Sequence, residues 1–157
     1  MGSPVKHYSE LAEAVARTAH RDQLDRNGEP YIHHPAAVAA ALEAAHYDDE
    51  VVAVGWLHDV VEDQGDTWPL EALQDIGFTE RVISALDAIS RRKGEDLDDY
   101  LARVVANPVA HVAKWFDVGH NSNPERLAQL ARTRPEKAAE LESKYDYVKI
   151  KLGGGPP

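Results

Sequence analysis

Cysteine is absent from the 157-residue chain. Without a thiol there is no disulfide and no thiolate metal site. The composition suits a reducing compartment, and a cytoplasmic location is expected. Cations are in short supply: 17 Lys and Arg face 27 Asp and Glu, for a formal net charge of −10. Such a chain is a poor wrapper of a nucleic-acid duplex, whose phosphates demand matching cations. No apolar run nears the ~20 residues of a membrane span, and no charged start followed by an apolar block reads as a signal peptide, so no membrane partner is expected. Period-2 alternation of useful length, internal repeats and interdomain linkers are also missing.

What is present is a globular composition, 43% apolar, in a length that fits one domain with a real core. Helical spacing recurs along almost the whole chain, which predicts an all-α fold. Leu11, Ala12, Val15, Ala16 and Ala19 share one helical face, and Gly28 and Pro30 interrupt the pattern. Pro35 suits the first turn of a helix reaching about His46. Asp48 is the expected N-cap of a helix that is apolar nearly all round from Val51 to Val61, and which should be central. Thr67 and Thr79 are expected caps of the next two helices, the first closed by Gly77. A helix through Tyr100 and Val104 stops at Asn107-Pro108, and three more follow, the last two starting near Pro124 and Pro135. Residues 1–152 form the expected domain, and 153–157, GGGPP, a flexible tail.

Polar groups interrupt this pattern at three places. HHP (His33 to Pro35) precedes a helix, HDVVED (His58 to Asp63) lies in the most apolar one, and Asp117, His120 and Asn121 follow Trp115 and Phe116. In a continuous helix His58 and Glu62 share a face, as do Asp59 and Asp63 on the adjoining one. A single buried histidine is usually hydrogen-bonded core, and His7, His20, His46 and His111 are placed in that class. A charge run such as EDQGD is usually a solvated helix end. Adjacent His-Asp in an apolar helix is different, because a buried carboxylate needs a partner or a metal. Imidazole with carboxylate suits Mn²⁺, Fe²⁺, Co²⁺, Ni²⁺ or Zn²⁺.

The order H…HD…D resembles the HD superfamily of metal-dependent phosphohydrolases. GEPYIHHPAAVA (Gly28 to Ala39), WLHDVVED (Trp56 to Asp63) and KWFDVGHN (Lys114 to Asn121) are similar to the hydrolase domain of the stringent-response alarmone enzymes and to the small alarmone hydrolases. The resemblance implies a helical bundle of roughly eight to ten helices, with no synthetase or regulatory domain in this length. It implies a divalent cofactor, Mn²⁺, held by His34, His58, Asp59 and Asp117, with His33 not required. Glu62 and Asp63 match the acidic pair beside the metal-bound water, and Asn121 matches an asparagine of the nucleotide pocket. The chain departs from the family at two places. Asp25-Arg26 stands where related hydrolases have Arg-Lys, which implies weaker guanine recognition. Val118-Gly119 replaces Arg-Leu, and Gly119 is expected either to end the helix early or to admit a close backbone approach.

The implied activity removes the 3′-pyrophosphate from guanosine tetra- or pentaphosphate, or a close relative. The partner is then a small phosphorylated nucleotide. Outer phosphates need cations, and the candidates are Arg26, Lys114 and the run Arg91, Arg92, Lys93. SRRKGE (Ser90 to Glu95) reads equally as a phosphate-facing loop or a solvated turn. Two alternatives remain: a phosphohydrolase of another phosphorylated nucleotide or dinucleotide, and a metal-bound nucleotide-binding protein with little turnover.

Overall fold

The structure is a computed structural model that describes residues 7–157. Those residues form ten α-helices and no strand; the one β-type contact is an isolated bridge between Leu24 and Pro30. Helix α1 (His7–Ala19) leads into a non-helical segment, residues 20–32, and then α2 (His33–Ala44). The end of α2 falls two residues short of the expected His46, and the reason is a Schellman-type turn. Tyr47 N–H donates to Leu42 O and His46 N–H to Glu43 O, with His46 in the left-handed region at φ 67°. His46 is therefore an exposed cap residue, and His7 is exposed too; neither is a core histidine. His20 is buried and hydrogen-bonded as expected, and His111 reaches Leu152 O at 2.8 Å.

Asp48 caps α3 (Asp49–Leu57) by accepting from Val51 N–H. Every residue from Val51 to Leu57 is buried, which makes α3 the central helix, packed by α1 and α2. It does not continue through His58 to Asp63. The chain turns at His58-Asp59 and resumes as α4 (Val60–Gln64). His58 Nδ1 donates to Gly55 O at this end of α3, 2.7 Å away. The turn replaces the regular rotation between successive helical residues and brings His58 and Asp59 to one point.

Helix α5 (Leu70–Ile76) starts from Pro69, not Thr67. Proline fixes φ and drives the preceding residue out of the helical region. The amides of Thr67 and Trp68 instead bond Gln64 O in a turn. Gly77, at φ 119°, closes α5 as expected, and Thr79 caps α6 (Glu80–Ile89) through Val82 N–H. Then come α7 (Leu97–Ala106), α8 (Pro108–Asn121), α9 (Pro124–Thr133) and α10 (Pro135–Lys151). Asn107 caps α8 with two amides. Gly119 neither ends α8 early nor meets a neighbour, since a Cβ there would have nothing within 4 Å. At the C-terminal end, Gly153 and Gly154 adopt positive φ and their amides bond Ile150 O and Lys149 O, capping α10. One continuous apolar core joins α1 to α3, α6, α7 and α8; a smaller one, Leu130, Ala138 and Leu141, ties α9 to α10. None of the described helices is long and apolar enough to cross a membrane.

Candidate metal centre and cleft

Four side chains from three places in the chain meet at one point. His34 comes from the first turn of α2, His58 and Asp59 from the break between α3 and α4, and Asp117 from α8. One ligand atom from each lies within 4.8 Å of all the others. His34 Nε2 is 2.7 Å and His58 Nε2 3.2 Å from Asp117 Oδ1; His58 Nε2 is 3.0 Å and His34 Nε2 3.7 Å from Asp59 Oδ2. His34, His58 and Asp117 are buried.

Hydrogen bonds at the far ring atoms decide which nitrogens face inward. His58 Nδ1 donates to a carbonyl, Gly55 O, so in the neutral ring Nε2 carries the lone pair. His34 Nδ1 lies 2.7 Å from Nδ1 of His120, whose ring stacks on it at 4.9 Å. With His34 donating and His120 accepting, the His34 Nε2 lone pair also faces the centre. His120 stays neutral, since burial, then His34 and Arg126, lower its pKa to about 4. Two nitrogen lone pairs and two carboxylates thus converge at hydrogen-bond range, an arrangement that repels itself unless a cation joins it. Two nitrogen and two oxygen donors suit a divalent ion. A proton is the lesser substitute: burial opposes charge on His58, but Asp59 and then Asp117 drive its pKa well above the usual range.

Neighbours hold the carboxylates in place. Lys114 Nζ donates to Asp117 Oδ2 at 2.9 Å and Asn121 Nδ2 to Asp117 Oδ1 at 3.1 Å. Burial works against ionisation of Asp117, but Lys114 and His58 outweigh it and keep its pKa well below normal. Tyr31 OH donates a short hydrogen bond to Asp59 Oδ2.

A cleft of about 550 Å³ opens beside this centre. Glu62 and Asp63 line it, one turn past the His58-Asp59 break. Glu62 Oε1 accepts the Arg91 amide at 2.7 Å. Asp63 Oδ2 accepts from Gln23 Nε2 at 3.0 Å. The Gln23 amide cannot turn round, because its Oε1 receives Gln64 Nε2 at 3.0 Å and faces His20 Nδ1 at 2.8 Å. Burial raises the pKa of both acids, and the Asp59 charge adds to it. Of the expected phosphate contacts, Arg26, Arg91 and Lys114 line the cleft, as does Asn121. Arg92 turns to Asp87 at 3.0 Å, and neither it nor Lys93 lines the cleft, so SRRKGE divides between the two readings. His33 is exposed, away from the centre.

Asp25 takes a role that its type does not announce. Its Oδ1 accepts the amides of Asn27 at 2.8 Å and Glu29 at 3.0 Å, and its Oδ2 stands 3.9 Å from Arg126. The carboxylate organises the loop and is not a loose negative charge aimed at a ligand. Tyr31, Gln23 and Lys144 are residues beside the site that the sequence reading passed over, and His120 was noted there but given no role. His120 had the best available signal, one turn from His34's partner Asp117.

A helical bundle that gathers two imidazoles and two carboxylates beside an acidic pair defines a class of metal-site domain. A model of the HD domain matches residues 12–113, and the chain belongs to that family. Bifunctional (p)ppGpp synthase/hydrolase SpoT of Escherichia coli K12 is 34% identical over 154 residues, covering 90% of this chain and 21% of its own. A probable GTP pyrophosphokinase of Mycobacterium leprae is 33% identical over 151 residues, covering 87% of this chain and 19% of its own. The chain thus spans about a fifth of the length of these relatives. Among solved structures, one described as a metazoan ortholog of SpoT that hydrolyzes ppGpp superposes with a TM-score of 0.64 at 22% identity, over 98% of this chain and 99% of that one, and shares the fold.

Proposed function

We propose that the chain is a metal-dependent phosphohydrolase that removes the 3′-pyrophosphate from (p)ppGpp or a closely related nucleotide in the cytoplasm. The observation that carries this reading is the convergence of His34, His58, Asp59 and Asp117 at the edge of a cleft that also holds Glu62 and Asp63. The names of the relatives supply the substrate. Mn²⁺ is the proposed ion, as the family resemblance implies, and a donor set that is half imidazole and half carboxylate suits it among other divalent ions. When bound, it lowers the pKa of water and offsets charge on phosphorus.

The chain's own residues do the rest. Glu62, fixed by the Arg91 amide, and Asp63, fixed by Gln23, accept a proton from water or orient it. Their raised pKa values bring them nearer to a base's working range. Lys114 stays protonated, because Asp117 outweighs the burial that opposes its charge, so it keeps a fixed positive charge beside the cleft. Arg26 and Arg91 face outer phosphates, and Asn121 reaches the nucleotide from the same helix that holds Asp117.

The test is a panel of nucleotides with Mn²⁺-loaded protein, products resolved by chromatography. Pyrophosphate released from a 3′-pyrophosphorylated guanosine nucleotide is expected. Failure to release it, with metal demonstrably bound, overturns the reading; turnover of another phosphorylated nucleotide would then select the broader phosphohydrolase, and nucleotide binding without turnover the third alternative.

A further inference from the structure

The HD-domain match ends at residue 113, yet the cleft continues onto α9 and α10 beyond it. Five cations line the cleft: Arg26, Arg91, Lys114, Arg126 and Lys144. Three are already engaged. Lys114 holds Asp117, Arg91 Nη2 donates to Glu95 O at 2.9 Å, and Arg126 faces Asp25. Arg26 and Lys144 are different. Among the described residues, neither side chain makes an ion pair or a hydrogen bond, in a chain where 27 acidic residues compete for 17 basic ones. Other cations of the chain are also unpaired, but these two come from separate elements, the 20–32 loop and α10, to one cleft.

The cations also act on one another. Burial, then Lys114, Arg91, Arg26 and Lys137, press the Lys144 ammonium toward its neutral form. A bound anion removes that strain. Beside Lys144, the partly buried Tyr145 and Leu127 give the cleft an apolar wall, backed by the buried Leu130 and Leu141.

We propose that Lys144, together with Arg26, is a specificity-determining pair that takes the phosphate groups of the substrate that are not cleaved. The cleft then selects nucleotides phosphorylated at two positions, one group at the metal centre and the other on α10 and the 20–32 loop. This deepens the hydrolase reading and rests on it for the bond that breaks, but not for what binds.

The experiment measures GDP and guanosine binding to the full, Mn²⁺-loaded chain by calorimetry. GDP is expected to bind more tightly than guanosine. Lys144→Gln should cut the GDP-to-guanosine affinity ratio ~10-fold, with the fold checked by circular dichroism, and Lys144→Arg should restore most of it. A ratio near one in the wild type, no detectable GDP binding, or a ratio that Lys144→Gln leaves unchanged would each overturn the proposal. A second arm compares KM for 3′-pyrophosphorylated guanosine with and without a 5′-diphosphate, where the KM ratio should collapse in Lys144→Gln. If neither compound is cleaved while the GDP contrast holds, the hydrolase reading fails and the binding pair stands.

Discussion

Gly55→Ala should loosen the metal centre from behind. Gly55 lies in α3 three residues before His58, and its carbonyl holds His58 Nδ1. A Cβ at Gly55 would stand 2.7 Å from Leu42 Cδ1 and 3.3 Å from Ala39 Cα, both on α2. Ordinary carbon contacts lie at ~3.5–4.0 Å, so something must give by ~0.8 Å or more. Leu42 is fully buried and Ala39 Cα is backbone, so part of the movement must separate α2 from α3. Overpacking of this kind costs ~1–3 kcal/mol, and the helix propensity of Ala over Gly returns ~1. The net loss is ~0–2 kcal/mol, or up to ~8 °C in Tm for a chain of this size. The larger effect falls on the site, because α2 carries His34 and α3 delivers His58. Mn²⁺ affinity, measured by calorimetry, should fall ~10-fold or more, since ligand geometry tolerates only ~0.5 Å of error. Leu42→Val in the same chain should recover part of both losses, as expected for two coupled side chains. A Gly55→Ala protein with wild-type melting and wild-type Mn²⁺ affinity would show that the α2–α3 contact does not set the ligand geometry.

Other outcomes follow from neighbouring contacts. Glu62→Gln should keep fold and metal while hydrolysis drops ~10²–10⁴-fold; near-normal turnover with metal bound passes the catalytic role to Asp63. His120→Ala removes the acceptor that fixes the His34 tautomer, and Mn²⁺ affinity should weaken ~10–100-fold with little change in melting; unchanged affinity would refute the tautomer assignment. Glu95 gives an acid test of the loop that carries Arg91. Its carboxylate is held by Arg103 and by the Arg92 amide, which lower its pKa from 4.5 to about 2. A depressed folded-state value stabilises above pH 4.5 and is lost as pH falls toward about 2. The melting difference between wild type and Glu95→Gln should therefore be full at pH 7 and shrink across that window; a difference that does not depend on pH assigns the effect to packing.

Much of the fold can be read from short-range chemistry. Asp48, Thr79 and Asn107 cap helices because a side-chain oxygen beside free amides is a local matter. The break at His58-Asp59 escapes such a reading, because the apolar pattern runs unbroken across it. Thr67 misled for a different reason: it is a good cap type, but Pro69, a local signal two residues on, decides where the helix starts. At the site, His34, His58, Asp59 and Asp117 were legible only through the family resemblance, and the structure brings the four together. The side chains that aim them were not. Gln23 and Tyr31 sit in a loop with no periodicity, and Lys144 looks like one of many lysines on an amphipathic helix until α10 is laid along the cleft.

The placement of cations in this acidic chain bears on how fast a ligand arrives. A polyanionic nucleotide meets two fields in turn. At a distance it is repelled by a net charge of −10, and at the mouth it is drawn in by Arg26 and Lys144. The Debye length shortens from ~30 Å at 0.01 M salt to ~8 Å at 0.15 M, so added salt removes the outer repulsion before it touches the inner attraction. The association rate should then rise with ionic strength, pass through a maximum and fall, where a uniformly basic receptor would show only the decline.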